Sequence, residues 1–284
     1  MSRGVLYVAT GKQYVEETLI SAKIFKSVLD IPIALATDRD VGDEAIDHVI
    51  SIDDPEYGFG DQIYAMQKTP FDRTLYLDSD IYVHESPSEV FDVLDEFEIG
   101  AVQVPHWQPR EEYPLESVPE SFPEYNSGVL VYKNTKPVQE LLNSWKTKHR
   151  RDINKGYNRN QRSFREALYS SDVRIATLTP EYNCRYQFPE RASRTVKIFH
   201  GRLLDIDTDT GGMHQLMNIE DVAEKINKKT GPRVFYPKRR SVEVKSLDDS
   251  YWYRIEYTLR RDGIVGTTKK AVREIRQKLS NWLQ

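Results

Sequence analysis

Short apolar runs alternate with amphipathic stretches from residue 5 to about residue 200. The opening run at 5–9 is rich in β-branched and aromatic residues, which is typical of a strand, and the apolar residues of 14–28 recur at helical spacing. Further strands are expected at 31–36, 49–52, 75–83, 99–104, 126–133, 173–178 and 196–199, with helices at 60–67, 137–148 and 163–169 and one starting near Ser86. This alternation predicts an α/β fold with a mostly parallel, doubly wound sheet.

Two carboxylates interrupt the apolar run at 75–83. Asp78 and Asp80 lie in a segment that otherwise predicts a buried strand, where an uncompensated charge is costly. The carboxyl ends of strands in α/β sheets open onto the ligand crevice, and carboxylate oxygens suit Mg²⁺ or Mn²⁺ bound to a diphosphate. A metal site is therefore one interpretation, and a strand-end turn whose acids cap the next element is the other.

The composition indicates a folded, globular protein. Of 284 residues, 39% are hydrophobic and 30% charged, which excludes general disorder and fits one large α/β domain or such a domain with an appendage. No apolar segment reaches the ~18 residues of a membrane span, and the N-terminus lacks the features of a signal peptide. The single cysteine, Cys184, allows no internal disulfide, so we expect a cytoplasmic protein.

Basic residues are concentrated towards the C-terminus. From Lys228 onward there are 15 Lys and Arg against 6 Asp and Glu, which leaves 25 against 38 for residues 1–227. We therefore predict a main domain at 1–230 and a basic, aromatic extension at 231–284. The pattern at 267–284 predicts an amphipathic helix that fits either an anionic membrane surface or the protein body. Nucleic acid is another common partner of basic segments, but we do not expect it here.

Five short motifs, taken in order, resemble a glycosyltransferase of the GT-A fold, close to family eight, which includes glycogenin and bacterial galactosyl- and glucosyltransferases. The family's Asp-x-Asp resembles Asp78 and Asp80, and His200 resembles the first residue of its His-x-x-Gly-x-x-Lys-Pro-Trp motif. The other three are Asn126-Ser127-Gly128 for Asn-Ala-Gly, Asn160-Gln161 for Asp-Gln, and Tyr182-Asn183 for a Tyr-Asn that follows a proline.

The resemblance implies a nucleotide-sugar site that contains a metal ion. Asp78, Asp80 and His200 would hold Mn²⁺ or Mg²⁺, although a strand-end histidine bonded to backbone is the alternative for His200. A UDP-sugar would be the donor, and Tyr14 would stack on uracil unless it is a core residue at the start of a helix. The other implied donor contacts are Thr10 and Asp38 to the nucleoside, and Lys12, Asp78, Ser79, Gly201 and Arg202 to the diphosphate.

Three amides are expected near the transferred sugar. Asn126, Asn160 and Gln161 would hydrogen-bond sugar hydroxyls, with Gln161 facing the β-side of the donor. Asn160 stands where the family has an aspartate, so a charge that the family places near the anomeric carbon is absent here. Retention of the anomeric configuration is implied by the resemblance alone.

The expected function is metal-dependent transfer of a hexose from a UDP-sugar to a glycan or lipid-linked acceptor, at the inner membrane face if the C-terminal helix binds lipid. No Lys-Pro-Trp follows Gly201, which keeps open a degenerate nucleotide-sugar-binding or scaffold protein of a glycan-assembly complex. A phosphatase with an Asp-x-Asp nucleophile is less favoured, because its pair usually lies on the first strand. A nucleotidyltransferase is less favoured because no glycine- and arginine-rich loop follows 5–9.

Overall fold

The computed structural model describes residues 1–104, 115–204, 206, 217–239, 241–247, 259–261, 263, 264, 266 and 268. The strands are β1 (Arg3–Ala9), β2 (Ile33–Thr37), β3 (His48–Ser51), β4 (Arg73–Leu77), β5 (Ile81–Val83), β6 (Ile99–Gln103), β7 (Tyr125–Lys133), β8 (Ile175–Leu178), β9 (Glu190–Ala192), β10 (Ile198–His200), β11 (Arg233–Lys238) and β12 (Ser241–Ser246). The helices are α1 (Lys12–Val28), α2 (Phe59–Met66), α3 (Lys136–Ile153), α4 (Gln161–Tyr169) and α5 (Ile219–Asn227), with 3₁₀ segments at Ser88–Asp95 and Pro180–Tyr182.

Seven strands form the central sheet, in the order β3-β2-β1-β4-β7-β6-β8. Strand β7 runs antiparallel to β4 and β6, and the other neighbouring strands of this sheet are parallel. Apolar side chains cover both faces because successive residues of a strand point to opposite sides, as Tyr7 and Leu6 do on β1. Helix α1 packs on one face, and α2, α3 and α4 pack on the other. The predicted doubly wound, mostly parallel α/β sheet is confirmed.

The prediction of one continuous strand at 75–83 is wrong. Strand β4 ends at Leu77, the chain turns through Asp78 to Asp80, and β5 joins a separate two-stranded sheet with β10. Two charged positions only one residue apart cannot continue through an apolar layer without a large desolvation cost, so the chain leaves the sheet where they occur. The antiparallel pairing of β5 with β10 places Ile81 opposite His200, so the turn brings Asp78 and Asp80 near that histidine.

A third sheet has three strands in the order β12-β11-β9 and lies outside the central one. Strand β11 pairs with β9, so residues on both sides of the predicted boundary at 230 belong to the same sheet. Arg233 at the start of β11 is 1% exposed and donates hydrogen bonds to the Arg194 carbonyl and the Asn227 side chain. The division into 1–230 and 231–284 stays a prediction.

Part of the expected architecture lies outside the described residues. This applies to the part of the basic, aromatic extension at 248–258 and to the predicted amphipathic helix at 267–284 apart from Thr268. Among the helices that the structure does describe, none combines the length and apolar character needed to cross a bilayer.

Candidate active site

Asp78, Asp80 and His200 converge at the carboxyl end of β4. One possible ligand atom from each of these three residues lies within 4.8 Å of the other two. The His200 Nε2 atom is 3.7 Å from an Asp78 carboxylate oxygen and 3.3 Å from an Asp80 carboxylate oxygen. The three side chains are half-buried, so a small ion could reach them from solvent. The sequence predicted this set, and the structure brings its members together.

The backbone around these side chains is tied together by two hydrogen bonds. The Asp78 amide donates to the Gly128 carbonyl at 2.9 Å, and the Gly201 amide donates to the Asp80 carbonyl at 2.8 Å. Gly128 leaves the space that the ligands occupy, since a Cβ atom there would lie 2.4 Å from His200 Cε1 and 2.5 Å from an Asp78 carboxylate oxygen. A side chain at position 128 is therefore incompatible with the arrangement.

A chain of amides orients the His200 ring. The Asn126 side-chain oxygen accepts from the Gly128 amide and from the Asn183 side-chain nitrogen, at 2.9 and 2.8 Å. This leaves the Asn183 side-chain oxygen to accept from His200 Nδ1 at 2.9 Å. With its proton on Nδ1, His200 points the Nε2 lone pair at two carboxylates, an arrangement that requires a cation or a proton between them. The donor set therefore fits a divalent ion.

The two carboxyl groups differ in their electrostatic surroundings. Burial raises the pKa of Asp78, and the opposing effect of His200 is smaller, while Tyr76 donates a hydrogen bond to this carboxylate at 2.5 Å. Burial also acts to raise the pKa of Asp80, but His200 and Arg202 outweigh it and hold the pKa below its usual range. A divalent ion would favour the ionised form of both groups.

A buried ion pair lies beside these side chains. Glu17 on α1 is 0% exposed, and its carboxylate accepts hydrogen bonds from Arg202 at 2.7 Å and from the Ser79 hydroxyl at 2.9 Å. It also accepts from the Leu203 and Leu204 amides. The guanidinium is 3.9 Å from the Asp80 carboxylate. Glu17 therefore fixes two of the predicted diphosphate contacts, Ser79 and Arg202, next to the metal-ligand candidates.

The predicted nucleoside contacts lie where β1 and β2 end. Tyr14 packs against the apolar core with part of its ring accessible, and the Arg202 guanidinium lies 5.3 Å from the ring centre. Asp38 accepts from the Gly11 amide at 2.9 Å and from the Tyr57 hydroxyl at 3.4 Å. The Thr10 hydroxyl donates to Asp61 on α2 at 2.8 Å.

Lys12 differs from the other predicted contacts in its surroundings. Its side chain is 77% exposed and 3.7 Å from Glu16, one turn along α1. Gly201 is enclosed, because an added Cβ would lie 2.6 Å from the Tyr186 ring. Of the two cations predicted to contact the diphosphate, Arg202 rather than Lys12 therefore lies beside the predicted metal ligands.

The side chains of Asn126 and Gln161 are hydrogen-bonded to each other, whereas the Asn160 side chain is bonded to Ser127 and Gln62. The Asn126 amide donates to the Gln161 side-chain oxygen at 3.3 Å, and Gln161 donates to Glu124 at 2.9 Å. Asn160 is 1% exposed, accepts from the Ser127 hydroxyl at 3.0 Å and donates to Gln62 at 2.7 Å. Its amide is thus used inside the protein, which favours a positioning role over contact with a sugar.

Sequence reasoning missed Glu17 and Glu124. The signal for Glu17 was available, since it lies one helical turn before Ser21 on the buried face of α1, where an acid is unusual. Glu124 carries no such signal. It follows a proline-rich stretch and becomes relevant only because β7 and α4 bring it next to Gln161.

No family model and no curated protein matches the sequence, so the relevant comparisons are with solved structures. The glycosyltransferase GlyE of Streptococcus pneumoniae TIGR4 has a TM-score of 0.51 and 16% identity over 65% of this chain and 48% of that chain. The galactosyltransferase LgtC, in complex with donor and acceptor sugar analogs, has a TM-score of 0.47 and 15% identity over 63% and 74%. Mouse xyloside xylosyltransferase 1 has a TM-score of 0.45 and 17% identity over 71% and 98%.

The likeness to GlyE shows that this chain has the fold of a GT-A glycosyltransferase, which confirms the predicted fold class. The chain spans about half the length of the GlyE chain it matches, 48%. The other two structures have TM-scores below 0.5 and add nothing to this conclusion.

Proposed function

We propose that the chain is a metal-dependent glycosyltransferase that moves a hexose from a UDP-sugar to a hydroxyl of a glycan or lipid-linked acceptor. The observation that carries the proposal is the convergence of Asp78, Asp80 and His200 at one strand end of a glycosyltransferase-type fold. Fold alone does not define activity, so the site chemistry is needed.

Two carboxylates and an imidazole match the ligand preference of Mn²⁺, with Mg²⁺ as the alternative. When bound, the ion would act as a Lewis acid on the leaving diphosphate. Asn183 accepts a hydrogen bond from His200 Nδ1, which leaves Nε2 facing the carboxylates as a possible ligand atom. Gly128 keeps the space between them open.

The donor would lie between α1 and the turn after β10. Arg202 and Ser79 would contact the diphosphate, together with the backbone at Gly201. Tyr14 would offer a ring face to the base, as an aromatic platform does. Asp38 and Thr10 would contact the nucleoside. The specificity for uridine comes from the family resemblance.

The transferred hexose would lie beside Asn126 and Gln161, whose amides can both donate to and accept from hydroxyls. Asn160 would act indirectly by holding Ser127 and Gln62. We propose a retaining reaction, in which the acceptor hydroxyl attacks on the face that the diphosphate leaves and the diphosphate takes its proton.

A cytoplasmic location, inferred from the single cysteine, and binding to an anionic inner membrane face, inferred from the basic pattern at 267–284, are further proposals. Sedimentation with anionic vesicles of the full chain and of a chain that ends at residue 266 would test them. Equal binding of the two chains would contradict a role for the C-terminal segment.

Calorimetric titration of UDP with and without Mn²⁺ tests the proposed function. Asp80→Ala should weaken Mn²⁺-dependent UDP binding by about a hundredfold, since it removes a metal ligand. Asp53→Ala is the matched control, because Asp53 is an exposed acid bonded to Ser51. Unchanged Mn²⁺-dependent binding by Asp80→Ala would refute the metal site. Release of UDP from UDP-hexoses without acceptor would distinguish an enzyme from a scaffold.

A further inference from the structure

A cavity of about 540 Å³ lies between the edge of the central sheet and the three-stranded sheet. We name it the edge pocket. Strands β6 and β8 with Pro180 line one side, and residues of β9 and β11 with Pro189 line the other. Its size is in the range of small-molecule sites, which are concave and mostly apolar with a few polar groups.

Aliphatic side chains make up most of the lining of the edge pocket. They are Val102, Val104, Leu178, Pro180, Pro189 and Val234. The Glu190 carboxyl, which also lines the pocket, accepts a hydrogen bond from the Arg185 amide at 3.2 Å, and burial raises its pKa to about 7. The group carries at most partial charge at neutral pH. Gln103, Thr177, Arg191 and Tyr236 also line the pocket and offer a few polar groups, while the aliphatic majority of the wall favours hydrocarbon over a bare sugar, whose hydroxyls need many polar partners.

The edge pocket opens at the same end of the central sheet as Asp78. Strands β4, β6 and β8 run in the same direction, and the pocket lies where β6 and β8 end. The sheet order β4-β7-β6-β8 puts β6 two strand spacings from β4 and β8 three, or about 10 and 14 Å. An acceptor that reaches from the reacting centre into the edge pocket must therefore extend by about 10 to 14 Å.

Arg185 interacts with carboxylates at both the edge pocket and the candidate active site. The guanidinium of Arg185 interacts electrostatically with Glu190 at the edge pocket and with Asp80 and Glu124 at the candidate active site. The chain itself is also continuous, since Pro180 lines the pocket and Asn183, three residues later, bonds to His200. The edge pocket and the candidate active site therefore lie at the same end of the sheet and share neighbouring residues.

We infer that the edge pocket binds the hydrocarbon part of the acceptor, so that the acceptor is a glycoside with an apolar aglycone rather than a free sugar or a purely polar glycan. This inference rests on the proposed function for the reacting end of the acceptor. The occupation of the pocket by hydrocarbon can be measured without the donor.

The test compares octyl β-D-glucoside and octyl β-D-galactoside, below their micelle concentrations, with the methyl glycosides of the same sugars. Binding to the full chain is followed by calorimetry and ligand-observed NMR. The octyl glycosides should bind about tenfold more tightly than the methyl glycosides. Val234→Trp, which places a large ring in the pocket wall, should abolish this difference. Val49→Trp on β3, at the opposite edge of the sheet, should preserve it.

Equal affinity of wild-type protein for octyl and methyl glycosides would overturn the inference, and so would unchanged octyl binding by a folded Val234→Trp protein. Mn²⁺-dependent UDP binding is measured in parallel on both variants. If UDP binding fails in the wild-type protein while the octyl preference and its loss in Val234→Trp are observed, the proposed function is wrong but the hydrocarbon site stands. If UDP binds and the octyl preference is absent, the edge pocket assignment is wrong.

Discussion

The absence of one side-chain atom, the Cβ of residue 128, allows the candidate metal ligands to lie close together. Gly128 thereby leaves room for the His200 ring and for the Asp78 carboxylate. The glycine was visible in the sequence, but its reason was not. It is a steric requirement created by β10, a strand about seventy residues away in the chain.

Gly128→Ala should weaken Mn²⁺-dependent nucleotide binding by about tenfold or more, since the methyl group displaces two proposed ligands. Titration of Mn²⁺ in the presence of UDP measures the effect. Gly42→Ala is the control, because a Cβ at position 42 would meet nothing within 4 Å. Wild-type affinity in a folded Gly128→Ala protein would show that the ligands do not need this space.

At the scale of elements, helices α3 and α4 are joined by a buried ion network. Glu166 on α4 is 3.0 Å from Lys148 and 2.6 Å from Arg151, both on α3. The hydrogen bonds from Arg151 and Lys148, together with their charges, outweigh burial and lower the pKa of Glu166 to about 2. The network fixes the helix that begins with Gln161.

This network predicts a pH-dependent stability. The folded-state pKa of Glu166 is below its unfolded value, so the unfolded chain binds more protons and stability falls with acidification. The stabilisation, on the order of 2 kcal/mol after allowance for solvent screening, should be complete above about pH 5 and lost as the pH falls towards 2. Urea unfolding at several pH values measures it. Glu166→Gln should lose this part of the slope, and an identical slope in both proteins would contradict the assignment.

At the scale of the whole molecule, the three-stranded sheet joins the C-terminal part to the main body. Phe235 and Val242, both 0% exposed, pack in one apolar cluster with Tyr186, Val196 and Ile226 from the region before residue 230. This shared apolar cluster, rather than the change in charge composition near residue 228, determines how the C-terminal part is attached to the main body.

A chain that ends at Thr230 should therefore melt about 10 °C or more below the full chain, because it loses at least two buried side chains worth roughly 2 kcal/mol each and leaves their neighbours exposed. A chain that ends at Leu247 retains β11 and β12 and serves as the control. Scanning calorimetry gives both values. Equal melting temperatures for all three chains would support the predicted boundary at 230 as a division between independent units.

The sequence by itself determined the fold class and supplied the metal-ligand candidates, but not Glu17 or Glu124. Alternating apolar runs and helical patterns predicted a doubly wound sheet, and Asp78 and Asp80 were noticeable because acids are rare within an apolar strand pattern. His200 joined them as a candidate ligand only through the resemblance to the glycosyltransferase family. Only the tertiary structure decided which residues meet. The break between β4 and β5, the orientation of His200 by Asn183 and the burial of Asn160 all depend on partners distant in sequence. A local sequence pattern shows that burying a given side chain is costly. It does not show which residue, distant in the sequence, compensates that cost.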